Sequence, residues 1–443
     1  MYRELSELIL YSDLGEDCIL VRLAEIFREA DAGETPVYVL RQRVFREVKR
    51  LLDLATTYGF DRDLWQNYLT FLLVTNENSF TLTAERRGAS DGSVNAFALH
   101  DFAVFRRLFH FDFSEIERKL SVDCFTVLTH YRAIAKSEKH YYRSVSERVQ
   151  ALSLTLAEAA DDHAFFNLVT DFYRAYGVGM FGLNRAFRIR ETQEGGVEFL
   201  PINNTEKIVL SDLVGYEIQK KELKDNTEAF LCGYPANNVL LYGDAGTGKS
   251  SCVKALINEY YDAGLRMIEI YKHQFHSLSA IIAAVKNRNY RFVIFIDDLS
   301  FEENELEYKF LKAVIEGGVE TRPDNILIYA TSNRRHLIRE TWKDRSDMEY
   351  ENDVHRSDTM EEKLSLAARF GVAINFSAPN RGLFHEIVKE LAKRKTAITL
   401  DESELLQFAN RWEIRHGGLS GRTAQQFIYY LEGKESLKHH VDT

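Results

Sequence analysis

Val239-Leu-Leu-Tyr-Gly243-Asp244-Ala245-Gly246-Thr247-Gly248-Lys249-Ser250 is the stretch on which the reading of this chain turns. The apolar run Val239 to Tyr242 has the length and composition of a buried strand, and it feeds directly into a glycine-rich loop. Glycines at 243, 246 and 248 let the backbone take positive φ and curl its amide N–H groups inward, with no Cβ between them and an anion. Lys249 reaches the β- and γ-phosphates as a point charge, and the Ser250 hydroxyl is a ligand for Mg2+. Ser251 to Tyr261 reads as a helix, whose first amides and dipole favour negative charge. The loop from Gly243 through Ser251 is therefore expected to hold a nucleoside triphosphate.

The whole chain has 443 residues, too many for one ordinary core, and predicts roughly two to three domains. A hydrophobic content of 45% beside 28% charged residues is that of a soluble globular protein. No apolar stretch approaches a membrane span, and Met1-Tyr-Arg-Glu-Leu-Ser-Glu7 carries acids without a signal-peptide core. The expectation is a cytoplasmic protein with no membrane partner. Cys18, Cys124, Cys232 and Cys252 lack CxxC spacing, so free thiols are expected rather than disulfides or zinc. The net charge of −11 is spread almost evenly along the chain. No half carries the basic excess that a sequence-independent grip on nucleic acid draws on, although a local basic patch stays open.

The first 200 residues read as mostly helical and rich in aromatics. Pro36 opens a helix, Val37, Leu40, Val44, Val48 and Leu51 recur at helical spacing, and Gly59 closes it. A second long helix is predicted from about Ala151 to Tyr176, and Asn76 to Asn95 is read as a loop. His100, His110, His130 and His140 have no metal-ligand spacing. Phe187 to Glu206 alternates around Gln193-Glu-Gly-Gly196, which suggests a short hairpin joining two domains. From Asn238 onward strands and helices alternate, as a parallel α/β sheet requires. The candidate strands are Val239 to Tyr242, Arg266 to Tyr271, Phe292 to Ile296, Ile326 to Ala330 and Val372 to Phe376. After Pro379 the pattern is helical: Leu383 to Lys393, Ser403 to Arg415 and Ser420 to Glu432. The predicted organisation is a mostly helical N-terminal domain (1–205), an α/β P-loop domain with a parallel sheet flanked by helices (206–378) and a small C-terminal helical lid (379–443).

Arg291-Phe-Val-Ile-Phe-Ile-Asp297-Asp298 is a buried strand ending in two carboxylates. Beside a phosphate loop, such a strand presents Asp297 to hold Mg2+ through water and Asp298 to polarise the attacking water as general base. Either acid alone also suits a helix N-cap. Glu302 and Glu303 follow closely enough to assist. The next strand ends in Thr331-Ser332-Asn333, and Asn333 can orient a lytic water because its amide both donates and accepts.

In order, the phosphate loop, Asp297-Asp298, Thr331-Ser-Asn333, Ala368-Arg369-Phe370 and Gly418-Leu-Ser-Gly-Arg422 resemble the nucleotide-site motifs of AAA+ ATPases. Leu210-Ser-Asp-Leu-Val-Gly215-Tyr216 is similar to the segment that closes over adenine in that superfamily. With Asp297-Asp-Leu-Ser-Phe301 and Ser332-Asn-Arg-Arg335-His-Leu, the combination resembles an uncharacterised bacterial branch of predicted ATP-binding proteins. The resemblance implies ATP with Mg2+, ATP hydrolysis, and a homo-oligomer, ring-like in this superfamily, acting on a protein client with or without nucleic acid. It makes Asn333 the first sensor, Arg422 the lid's second sensor at the γ-phosphate, and Arg369 the finger offered to a neighbouring subunit. An intramolecular salt bridge is the other reading of Arg369, and Arg334 and Arg335 are alternative fingers. Arg339 to Lys363 is charge-rich and reads as a solvated loop. Lys272-His-Gln-Phe275-His-Ser occupies the place of a threading loop without its glycine, so Phe275 is the lone candidate there and threading is disfavoured. A binding module gated by ATP with little turnover is the alternative, because Asp298 is one methylene shorter than the usual Glu.

Overall fold

Seven strands form one sheet in the order β2-β1-β4-β5-β6-β3-β7. They are β1 (Ala186–Glu191), β2 (Val197–Pro201), β3 (Val239–Gly243), β4 (Leu265–Ile270), β5 (Arg291–Ile296), β6 (Ile326–Ser332) and β7 (Val372–Phe376). The computed structural model describes residues 1–88, 92–133, 143–192, 196–202, 205–301, 307–316, 323–333 and 366–441. By its contacts the chain divides into two units, Met1–Asn184 and Arg185–Thr443.

Within the second unit all strand pairs are parallel except the β1–β2 hairpin. β5 and β6 are buried along almost their whole length, which is why they read as continuous apolar runs. β1 alternates buried and exposed positions. The hairpin read as a joint between domains is thus the outer edge of this sheet, with β1 paired to β4 through Ala186↔Met267. Local alternation reveals its turn but not its third partner. Three C-terminal helices, Arg381–Lys393, Glu402–Arg415 and Gly421–Val441, close around their own core of Phe384, Val388, Ala409, Ala424, Phe427 and Ile428.

In the first unit the regular elements among the described residues are helices. Aromatics fill its core: Trp65, Phe60, Phe80, Phe102, Phe105 and Phe165 are all fully buried. The buried Asp101 carboxylate accepts hydrogen bonds from the backbone N–H groups of Ile9, Leu10 and Tyr11, which fixes the N-terminal segment to the core. The Val37–Tyr58 helix runs as expected and stops where Gly59 takes φ 69°.

Two expectations here are corrected. The long helix to Tyr176 is two helices, Arg143–Ala157 and Asp162–Tyr176, because the Asp161 carboxylate accepts from the Ala164 N–H and starts a new one. The stretch read as a loop contains the Ser79–Arg87 helix, which Asn78 and Thr81 begin with a reciprocal capping box. No helix among the described residues is long and apolar enough to cross a membrane.

Candidate functional site

Because β6 lies between β5 and β3, the sheet places the end of β6 between the phosphate loop and the two acids. All three strands run in the same direction, so the groups at their carboxyl ends converge on one edge, where α/β sheets bind ligands.

The loop leaves β3 through Gly243, Gly246 and Gly248, with φ of 132°, 76° and 93°. A Cβ at Gly243 would come within 2.2 Å of the Phe376 carbonyl oxygen, so that position must be glycine for space as well as for φ. The next helix, Lys249–Tyr260, starts at Gly248 and aims its first turn at the loop. Asp244 ties the loop to the end of β7: its N–H donates to Phe376 O and its carboxylate accepts from Ala378 N. Thr247 donates back to Asp244 O, while Ala245 is exposed at the tip and Ser251 follows in the helix.

Lys249 is buried, and its ammonium donates to Gly243 O at 3.0 Å, Asp244 O at 2.6 Å and Asn333 Oδ1 at 3.1 Å. Burial pulls this ammonium below the usual lysine range, and the carboxylates of Asp244, Asp298 and Asp297 act against that. Phosphate oxygens would favour the charged form further. Asn333 in turn donates from Nδ2 to Asp298 Oδ1 at 2.8 Å. Lysine only donates and an ionised carboxylate only accepts, so these two partners fix which way the Asn333 amide faces. Ser250 Oγ donates to Asp297 Oδ1 at 2.5 Å, and Thr331 Oγ1 donates to the same oxygen at 2.5 Å.

Asp298 has φ 53°, in the left-handed region. Asp is among the non-glycine residues enriched there, which gives a local reason for the shorter acid at this position. The expectation of Glu as the usual residue takes no account of backbone conformation.

Two more elements border the loop. Gly215 (φ 80°) and Tyr216 (φ 58°) precede the Glu217–Leu231 helix. The Tyr216 hydroxyl donates to Ser377 O at 2.7 Å, its ring lies 5.2 Å from that of Phe376, and a Cβ at Gly215 would overlap Leu383 of the lid. Burial, with Asp244 adding to it, pushes the Tyr216 hydroxyl up to about 12. From the lid, Arg422 N–H donates to Gly246 O at 3.1 Å, and a Cβ at Gly246 would stand 3.0 Å from Arg422 Cβ and from Ser420 Oγ. The lid therefore touches the phosphate loop at the residue expected to act from it.

Arg369 is not brought to this edge. It lies before the first residue of β7, at the amino end of a strand whose Phe376 pairs with Gly243 at the carboxyl end. Phe275 is buried at 1% exposure and packs on Phe301, so it presents no aromatic side chain to a threaded substrate. Arg334, Arg335, Glu302, Glu303, His140 and the stretch Arg339 to Lys363 lie outside the described residues. Sequence reasoning misses Thr331 as the link between the two acids, although its place one step beyond Ala330, the partner of Ile296, carries that signal.

The strand order, the glycine loop between β3 and its helix, the paired acids on β5 and the lid contact give this unit a mostly parallel α/β fold of P-loop type with a helical lid. Among solved structures the chain is similar to the Thermotoga maritima RuvB Holliday junction branch migration motor, at 17% identity over 51% of this chain and 64% of that one, with a TM-score of 0.36. It is also similar to the FIGL-1 AAA domain in complex with ADP, at 20% identity over 50% of this chain and 72% of that one, with a TM-score of 0.35. The chain thus spans less than two thirds of the RuvB chain. No curated protein matches. The family described as "Protein of unknown function (DUF815)" matches residues 183–435, which hold the whole sheet and every group at its carboxyl edge, and the chain belongs to that family.

Proposed function

We propose that the protein is an AAA+ ATPase that binds ATP with Mg2+ at the carboxyl edge of the sheet, hydrolyses it, and couples nucleotide state to a protein interaction made by the helical unit. The observation that carries the reading is the single network running from Lys249 through Asn333 to Asp298 and from Ser250 through Asp297 to Thr331, whose hydroxyl accepts from the Asp298 N–H and so joins the two. It joins a phosphate-binding cation, a hydroxyl and a carboxylate of the kind Mg2+ prefers, and a second carboxylate aimed by an amide. Ser250 and Asp297 would hold Mg2+, the Ser250 hydroxyl as a ligand and the Asp297 carboxylate through water, and the ion would supply positive charge to neutralise the phosphates. Lys249 would exchange carbonyl oxygens for phosphate oxygens, Asn333 would place the attacking water, and Asp298 would accept its proton. Arg422 would meet the γ-phosphate from the lid.

The position of Arg369 supports a role for it in a neighbouring subunit. β7 spans roughly 15 Å, so a side chain at its amino end is far from its own phosphate loop, and any nucleotide it acts on would belong to an adjacent copy in a homo-oligomer. Arg369→Ala should abolish hydrolysis but keep ATP binding. Mixing it with Lys249→Ala subunits should restore part of the turnover, and the absence of recovery in mixed assemblies would make Arg369 a structural residue.

The backbone at Asp298 favours one second reading, an ATP-gated binding module with little turnover, since the left-handed conformation suits a short acid that reaches less far. Tight ATP binding, lost in Lys249→Ala and without phosphate release from assembled subunits, would select it.

A further inference from the structure

We infer that Thr331 is a positioning residue which couples the metal-holding acid to the water-activating acid through one hydroxyl. The inference rests on the proposed ATPase reading and adds to it a residue that touches neither phosphate nor water.

Thr331 is at the end of β6, with 2% of its surface exposed. Register brings it there: Ile296 pairs with Ala330, so the next step along both strands sets Thr331 beside Asp297. Its hydroxyl makes two bonds of opposite sense. It donates to Asp297 Oδ1 at 2.5 Å and accepts from the Asp298 backbone N–H at 2.9 Å. The direction is forced, because a backbone N–H can only donate and an ionised carboxylate can only accept. The Thr331 carbonyl then accepts from Leu299 N–H at 2.6 Å. Asp297, Asp298 and Leu299 are thereby each bonded to one residue of the neighbouring strand.

That clamp acts where the backbone most needs one. Asp298 holds φ 53°, a conformation that persists in a non-glycine residue only when its surroundings over-determine it. The bonds to Thr331 on either side of the Asp298 α-carbon supply that determination and set the direction in which its carboxylate leaves the chain. Asn333, two residues further along β6, meets the carboxylate itself at 2.8 Å. On the other acid, Thr331 and Ser250 both donate to Oδ1 of Asp297, which fixes the orientation in which that carboxylate is presented. Serine would keep both bonds, whereas valine has the shape of threonine without the hydroxyl and would strand a donor.

The test compares Thr331→Val and Thr331→Ser with wild type by calorimetric titration of ATP with and without Mg2+, and by phosphate release. For Thr331→Val we expect ATP affinity without Mg2+ to stay within about 2-fold, the Mg2+-dependent gain in affinity to fall, and kcat to drop roughly 10- to 100-fold, a barrier higher by about 1.4 to 2.7 kcal/mol. Thr331→Ser should restore both quantities. Wild-type kcat and wild-type Mg2+ dependence in Thr331→Val would overturn the inference. So would equal loss of ATP binding with and without Mg2+, or failure of Thr331→Ser to restore function in a folded protein, since those outcomes describe a packing residue. If Thr331→Val does not fold, Thr331→Ser and Thr331→Cys carry the test, with serine expected to act like wild type and cysteine to lose the Mg2+-dependent gain. Wild type that binds ATP but never releases phosphate would sink the ATPase reading alone, and the Mg2+ dependence of binding would still decide Thr331.

Discussion

The two ends of the parallel strands handle charge in opposite ways. At the carboxyl ends, polar side chains bond to one another: Lys249 meets Asn333, which meets Asp298, while Ser250 and Thr331 both donate to Asp297, and Thr331 joins the two groups by accepting from the Asp298 N–H. At the amino ends, Arg266 is buried at 3% exposure between the rings of Tyr261 and Tyr290, 4.1 and 4.4 Å from their centroids. Its Nη1 donates to the carbonyls of Tyr261 and Leu265, while Arg185 and Arg288 also lie over these two tyrosines. Aromatic faces and fixed carbonyls stabilise a cation without offering it anything to trade. One end gathers polar side chains that bond to one another, the other seals a cation between rings and carbonyls, and the proposed chemistry belongs to the first.

The largest expected effect tests that division at the carboxyl edge. Asp298→Asn should lower kcat by roughly 100- to 10,000-fold, the range general-base catalysis contributes, with ATP affinity retained. Steady turnover in this variant would remove Asp298 from the chemistry. At the opposite edge, Arg266→Ala should cost about 2 to 4 kcal/mol of stability through the cavity it leaves and the hydrogen bonds it removes from the Tyr261 and Leu265 carbonyls. Folded Arg266→Ala should nonetheless bind ATP as wild type does, and a specific loss of ATP affinity without a drop in melting temperature would break the comparison. Smallest is a control in the helical unit: Asp161→Ala should cost about 1 kcal/mol as a lost N-cap, read by chemical denaturation, with no change at the nucleotide site.

Legibility follows the same division. The phosphate loop is contiguous, and each residue's role follows from its neighbours, so Gly243 to Ser250 can be read from the amino-acid order alone. Asp297 and Asp298 are readable as the polar end of an apolar run. Asn333 needs the same logic one strand further on. Thr331 is harder, since its role depends on the register between β5 and β6 and on a positive φ at Asp298 that no spacing announces. The Arg266 stack is not legible at all, because Tyr290 reaches Arg266 and Tyr261 only through the pairing of β4 with β5. In the helical unit the missed break at Asp161 and the missed helix after Asn78 have one cause. Both depend on a side chain capping backbone N–H groups, a signal that apolar periodicity does not carry.

Phosphate release from ATP by the wild-type protein and by Lys249→Ala, each with and without Mg2+, decides whether the network at the carboxyl ends is an ATP site that performs hydrolysis. Wild type should release phosphate in a Mg2+-dependent way that disappears in Lys249→Ala, together with a loss of ATP affinity of roughly 100-fold, about 3 kcal/mol, for a charge-assisted contact. Release by Lys249→Ala at the wild-type rate, or a wild-type protein that does not bind ATP, would contradict it.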